Sequence, residues 1–139
     1  MKIHIRVHLV ITALVLIIST LCVFLYPDYE AKTNPVVAEF VIEQSMKDRV
    51  TNTLILSGHY TVRRDCTYLG IHAYDDGNAL TLSRYDRLNQ GNNFLMSIVG
   101  ATTSAVVITM SHRCNRFYTI EEPVARIILD EVPVAGAKP

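Results

Sequence analysis

LVITALVLIISTLCVFLY, from Leu9 to Tyr26, is a run of eighteen residues without a single charge, and its reading decides the architecture of the chain. As a helix it is roughly 27 Å long, and about 30 Å when counted from Val7, close to one bilayer hydrocarbon thickness. Twelve of the eighteen are Leu, Ile, Val or Phe. Together they favour insertion by around 5 kcal/mol at most, since off-centre positions count less. Thr12, Ser19 and Thr20 cost little, because a helical hydroxyl bonds a carbonyl one turn back. Pro27 is expected to stop the helix, and Tyr26 and Tyr29 stand where an interfacial aromatic belt would be.

Three other origins for such a run fit less well. A buried core helix is usually shorter or amphipathic, whereas every face here is apolar. A cleaved signal peptide has a shorter core, followed by small residues; here Phe24-Leu25-Tyr26-Pro27 follows. A bacterial lipoprotein needs a small residue before its lipidated Cys, and Leu21 precedes Cys22. A retained transmembrane anchor over residues 7–27 is the expectation.

On the N-terminal side, residues 1–6 form a short tail with Lys2 and Arg6 and no acid, while Asp28 and Glu30 follow the run. The positive-inside rule then places the N-terminus in the cytoplasm and the C-terminal part in the periplasm or outside the cell. That part carries 11 of the 13 Lys and Arg residues and all 13 Asp and Glu, a net charge of −2. Nucleic-acid binding, which needs a concentrated basic face, is not expected.

On the C-terminal side, residues 28–35 read as an extended tether ending at Pro35. Residues 36–132 then alternate between apolar and polar in short stretches. Val36–Ile42 is one such strand, and residues 44–49 read as a polar loop or helical turn. Leu54, Leu56, Tyr60 and Val62 share one parity, with Gly58 marking a bulge or bend. Leu69, Ile71 and Ala73 lead into Asp75-Asp76-Gly77-Asn78, the strongest turn signal in the chain, so residues 67–84 read as a β-hairpin. Tyr85–Asn93 reads as a polar loop. Phe94–Val99 and the alternation from Ala105 to Cys114 are further strands. Pro123 interrupts the next stretch, and Ala125, Ile127 and Leu129 supply the last strand. Residues 133–139 read as a flexible tail. About seven strands and no soluble helix define an all-β domain, a small antiparallel β-sandwich after a single transmembrane helix. An immunoglobulin-like topology is compatible with that count, although the Trp that marks antibody-type cores is missing.

Cys66 and Cys114 are the only cysteines beyond the apolar run, and in an oxidising compartment they are expected to form one disulfide. Neither belongs to a Cys-x-x-Cys redox or metal motif. His59, His72 and His112 fall on three different strands, and their convergence is the one route to an envelope enzyme or ligand-binding module. No pair of them has a short metal-ligand spacing. Asp75, Asp76 and Asn78 have too few companions for a calcium loop. Nucleophile-elbow, P-loop and dinucleotide fingerprints are absent, so neither catalysis nor a cofactor or metal is expected.

Two groups of residues suggest recognition. Arg63, Arg64, Arg113 and Arg116 flank the two cysteines, and a disulfide would gather them at one end, facing an acidic partner or lipid headgroups. Asp65, Glu121 and Glu122 are the acids that would partly neutralise them. Tyr85 and Arg87, in a segment rich in Asn, suit protein contact. The plan of short tail, single span and stapled β domain resembles many small single-pass proteins encoded by bacteria and their phages. That resemblance of plan implies an accessory role, as a small subunit or envelope factor whose partners are the bilayer and a membrane or envelope protein.

Overall fold

The apolar run is helical throughout, and the helix does not stop where Pro27 was expected to end it. The computed structural model describes residues 2–88, 92–102 and 104–134. In it α1 spans Lys2–Thr33, with Pro27 inside. Thr12, Ser19 and Thr20 turn their hydroxyls back onto the carbonyls of His8, Val15 and Leu16. The interior proline costs about 3 kcal/mol in an isolated helix. The turn beyond it is held by Asn34 N–H on Glu30 O and by the Thr33 hydroxyl on Tyr29 O. It is also held by contacts to the β domain described below. The extended tether expected over residues 28–35 is therefore helix up to Thr33, and only three residues turn the chain into the first strand.

Eight strands follow among the described residues: β1 Val37–Asp48, β2 Thr53–Val62, β3 Thr67–Asp75, β4 Asn78–Ala79, β5 Thr81–Leu88, β6 Asn93–Val99, β7 Ala105–Arg113 and β8 Ile120–Ile128. They form two four-stranded antiparallel sheets, ordered β1-β2-β6-β5 and β4-β3-β7-β8. Lettered A, B, C, C′, D, E, F and G in chain order, these are ABED and C′CFG, the strand order of an immunoglobulin-like Greek-key sandwich. One face of each sheet builds the core. Leu54, Leu56, Tyr60, Phe94, Met96 and Ile98 come from the first sheet, and Ile71, Ala73, Val106, Ile108, Met110 and Ile127 from the second. In place of a core Trp, Phe40 stacks on Phe94 with ring centroids 4.6 Å apart.

Several local expectations are corrected. Residues 44–48 are neither loop nor helical turn but the second half of β1, whose register shifts between Ile42 and Gln44. That irregularity lies on β1, opposite Gly58 rather than at it. Gly58 is required because a Cβ there would stand 1.9 Å from Val41 O. The hairpin expected over 67–84 is cut short. Its turn is built by Asp76 and Gly77 at φ 48° and 81°, and β4 pairs with β3 for two residues. After Leu80 the chain crosses to the other sheet as β5. Tyr85–Leu88 is thus strand, with Tyr85 opposite Met96 and Arg87 opposite Phe94, and not loop. Pro123 lies inside β8, an edge strand whose pairing with β7 shifts register between Ala125, opposite Ile108, and Pro123, opposite Thr109, and so tolerates the missing N–H. At the C-terminal end, Pro133 O accepts from Lys47 N–H, so the chain is still tied down there; residues 135–139 lie outside the described set.

Candidate functional site: the helix–sandwich junction

The last two turns of α1 lean against β8 and the loops beside it. Glu30 is the centre of the contact. One of its carboxylate oxygens accepts from Arg64 Nη1 at 2.6 Å, and the other accepts from the Tyr118 hydroxyl. The Tyr118 ring meets the Tyr26 ring edge-on, with centroids 5.5 Å apart. Burial, then the bond to Glu30, pushes the Tyr118 pKa up to about 12, so the phenol keeps its proton and stays a donor. Arg64 and Glu30 are both largely shielded, with side chains 22% and 13% exposed. A pair shielded to that degree is screened less than a surface ion pair.

A second carboxylate fixes the chain where it leaves the helix. Glu122 on β8 is buried, and its two oxygens accept from Val36 N–H at 2.9 Å and Val37 N–H at 2.7 Å. From the sequence, Glu122 is expected among the acids that partly neutralise the arginines; instead it serves the backbone. Its parity in β8, shared with the buried Ile120, was the signal that it points inward. His112 Nδ1 lies 3.8 Å from Glu122 Oε1, too far for a hydrogen bond. Burial first, then the positive charge of Arg64, lowers the His112 pKa. We therefore read His112 as a neutral ring packed against Tyr68, centroids 5.8 Å apart, and not as half of an ion pair.

The disulfide lies beside this junction. Cys66 directly precedes β3 and Cys114 directly follows β7; they are bonded, with Cα atoms 4.5 Å apart. The bond extends the ladder beyond the Thr67–Arg113 pair and so joins two neighbours within one sheet. In antibody domains, by contrast, the bridge crosses between sheets. It clasps the β2–β3 loop, which carries Arg64, to the β7–β8 loop, which carries Tyr118.

The four candidate arginines do share this end, but they divide. Arg64 is committed to Glu30, while Arg63, Arg113 and Arg116 are exposed. Tyr85 and Arg87 have defined backbone positions in β5, and their side chains lie outside the described set. The three strand histidines are not brought together. His59 is on the first sheet and bonds Glu43 through Nδ1 at 2.9 Å. His72 is exposed on β3, next to Tyr74 with centroids 6.5 Å apart, and His112 is buried on β7. Among the described residues, no group of three or more His, Cys, Asp or Glu is placed to hold a metal ion. A groove of about 430 Å³ runs beside the junction between Asp28 and Lys32 of α1, Phe40 of β1 and Glu121 of β8.

The fold and the junction together define a class: an immunoglobulin-like β-sandwich fixed directly to the end of a long apolar helix. Comparison of the chain with protein-family models, with curated proteins and with solved structures finds no match.

Proposed function

We propose that the protein is a non-enzymatic, single-pass membrane-anchored accessory protein. In this reading α1 crosses the bilayer with its N-terminus in the cytoplasm. The sandwich works on the other side as a binding module for a membrane or envelope protein. The observation that carries the reading is the helix surface. The most apolar eighteen-residue window of the candidate span has none of its residues buried against the rest of the chain. Leu9, Leu16, Val23 and Leu25 are each more than 60% exposed. In water, a continuous apolar cylinder of this length would be a severe liability; in a bilayer it is solvated on every side. The separation of His59, His72 and His112 disfavours the alternative of an envelope enzyme or ligand site built from those three.

The test is recovery of the tagged full-length chain at native expression. It should stay in the membrane fraction through alkaline carbonate washing, and in mild detergent it should co-purify with a membrane or envelope protein in a defined ratio. Release by carbonate would contradict the anchor, and a partnerless monomer would contradict the accessory role.

A further inference from the structure

We propose that the β7–β8 loop seats the sandwich on the bilayer. Phe117 enters the headgroup layer of the membrane that α1 crosses, and Arg63, Arg113 and Arg116 face its lipid phosphates. The inference rests on the membrane reading of α1 and goes beyond it by assigning a lipid-binding surface to the folded domain.

Tyr26 closes the apolar run, and the Tyr118 ring packs against it. The same Tyr118 bonds Glu30, four residues and about 6 Å further along the axis. The loop is thereby held within roughly one helical turn of the end of the span, the depth of phospholipid headgroups.

Phe117 is 91% exposed beside Tyr118. Asn115 Oδ1 accepts from the N–H groups of both Phe117 and Tyr118, at 2.9 and 3.3 Å. The backbone is therefore fixed with Tyr118 turned to the helix and Phe117 turned outward. Taking a Phe side chain out of water is worth roughly tenfold or more in an equilibrium. Val50 is as exposed, at 92%, but sits in the β1–β2 turn at the other end of the sandwich. Position, not exposure alone, singles out Phe117.

Arg63 and Arg116 are exposed in the two loops that the disulfide clasps, and Arg113 is exposed at the end of β7 beside them, with Asp65 the exposed acid in those loops. Guanidinium groups beside an inserted aromatic match a phosphate layer over an acyl layer. Because the domain is clamped to α1, seating needs little further loss of freedom.

The chain contains no Trp, so single-Trp variants of the full-length protein report directly. Phe117→Trp, Phe24→Trp within the span and Val50→Trp are reconstituted in phosphatidylcholine–phosphatidylglycerol vesicles with quenchers fixed at shallow or deep positions. Phe117→Trp should be blue-shifted relative to Val50→Trp and quenched best by the shallow label; Phe24→Trp should be quenched best by the deep one. Removing Arg113 and Arg116 as Ala should shift the seated-to-lifted ratio by roughly fivefold per arginine. Phe117→Trp behaving like Val50→Trp while Phe24→Trp is quenched would overturn the seating and leave the anchor standing. It is also the outcome expected if Phe117 instead fills a pocket on a protein partner. An unquenched Phe24→Trp would overturn the anchor, and the seating with it.

Discussion

The two ends of the sandwich are built by different means. At the end away from the helix, the turns close locally, and the longer-range ties are single hydrogen bonds from backbone N–H groups: Lys47 to Pro133 O, Gly100 to Asn52 O and Thr102 to Asp75 Oδ2. Asp48 accepts from Val50 N–H and the Thr51 hydroxyl within the β1–β2 turn, Asn52 takes a positive φ, and Asp76-Gly77 turns β3 into β4. At the helix end, the contacts join residues far apart in the chain. Arg64 and Glu30 are 34 positions apart, Cys66 and Cys114 48, Val36 and Glu122 86, and Tyr118 and Glu30 88. The first kind of closure shapes a turn. The second fixes the relation between helix and domain, and it is where charge, burial and covalent bonding are concentrated.

This contrast predicts where substitutions hurt. The largest loss should follow Cys66→Ala with Cys114→Ala. Release of a loop closed by residues 48 apart removes up to ~4 kcal/mol in the chain-entropy model. A net loss near 3 kcal/mol would lower the melting midpoint by roughly 10–20 °C for a domain this size. Thermal melts of the full-length chain in detergent would measure it, and an unchanged midpoint would remove the staple from the account.

Glu122→Ala comes next. It strands two buried N–H groups that now share a charged acceptor, and should cost about 3 kcal/mol. Glu122→Gln keeps one good acceptor and should lose about half as much. Equal, small losses in both would mean that Glu122 does not secure the chain where it leaves the helix.

Tyr118→Phe should cost only about 1 kcal/mol. Its signature is regional: faster hydrogen exchange at the amides of residues 28–34, with the core strands unchanged. Gly77→Ala, at the opposite end, is also worth about 1 kcal/mol, from backbone strain at φ 81° with open space around the new Cβ. It should leave exchange at residues 28–34 untouched. If Gly77→Ala loosens the helix, the two ends are not independent.

The mildest lever is pH. The folded His112 pKa lies below its ordinary 6.5, because of burial and then Arg64. The unfolded chain therefore binds a proton first as pH falls. His112 contributes its full stabilisation above about pH 6.5, and loses it progressively as pH drops from there toward the folded value. Melts between pH 7.5 and 5 should show the decline, and His112→Gln should flatten it.

The same contrast explains what was legible in the sequence. Period-two patterns such as Leu54-Leu56-Tyr60 and the Asp-Gly turn are local, and they identified the sandwich and its turns. The helical turns beyond Pro27 were not legible, because the partners that hold them are Arg64 and Tyr118. Leu80 and Leu82 alternate as they would in a continued hairpin, and nothing in alternation says that β5 has changed sheets. The polar composition of Tyr85–Leu88 suggested a loop because β5 is an edge strand. Of the candidate site, the gathering of the arginines around Cys66 and Cys114 was legible. The commitment of Arg64 to Glu30, and the exposed Phe117 beside Tyr118, were not.

The central claim is that α1 crosses a bilayer and holds the sandwich on the far side from the N-terminus. Cysteine labelling in intact cells tests it most directly. In a Cys22→Ser background, with Cys66 and Cys114 bonded, Val50→Cys and Lys2→Cys are each exposed to a membrane-impermeant maleimide. The account predicts that Val50→Cys is labelled in cells whose cytoplasmic membrane is intact, and that Lys2→Cys is labelled only after that membrane is opened. The reverse pattern would contradict the orientation, and labelling of both positions without opening the membrane would contradict a span.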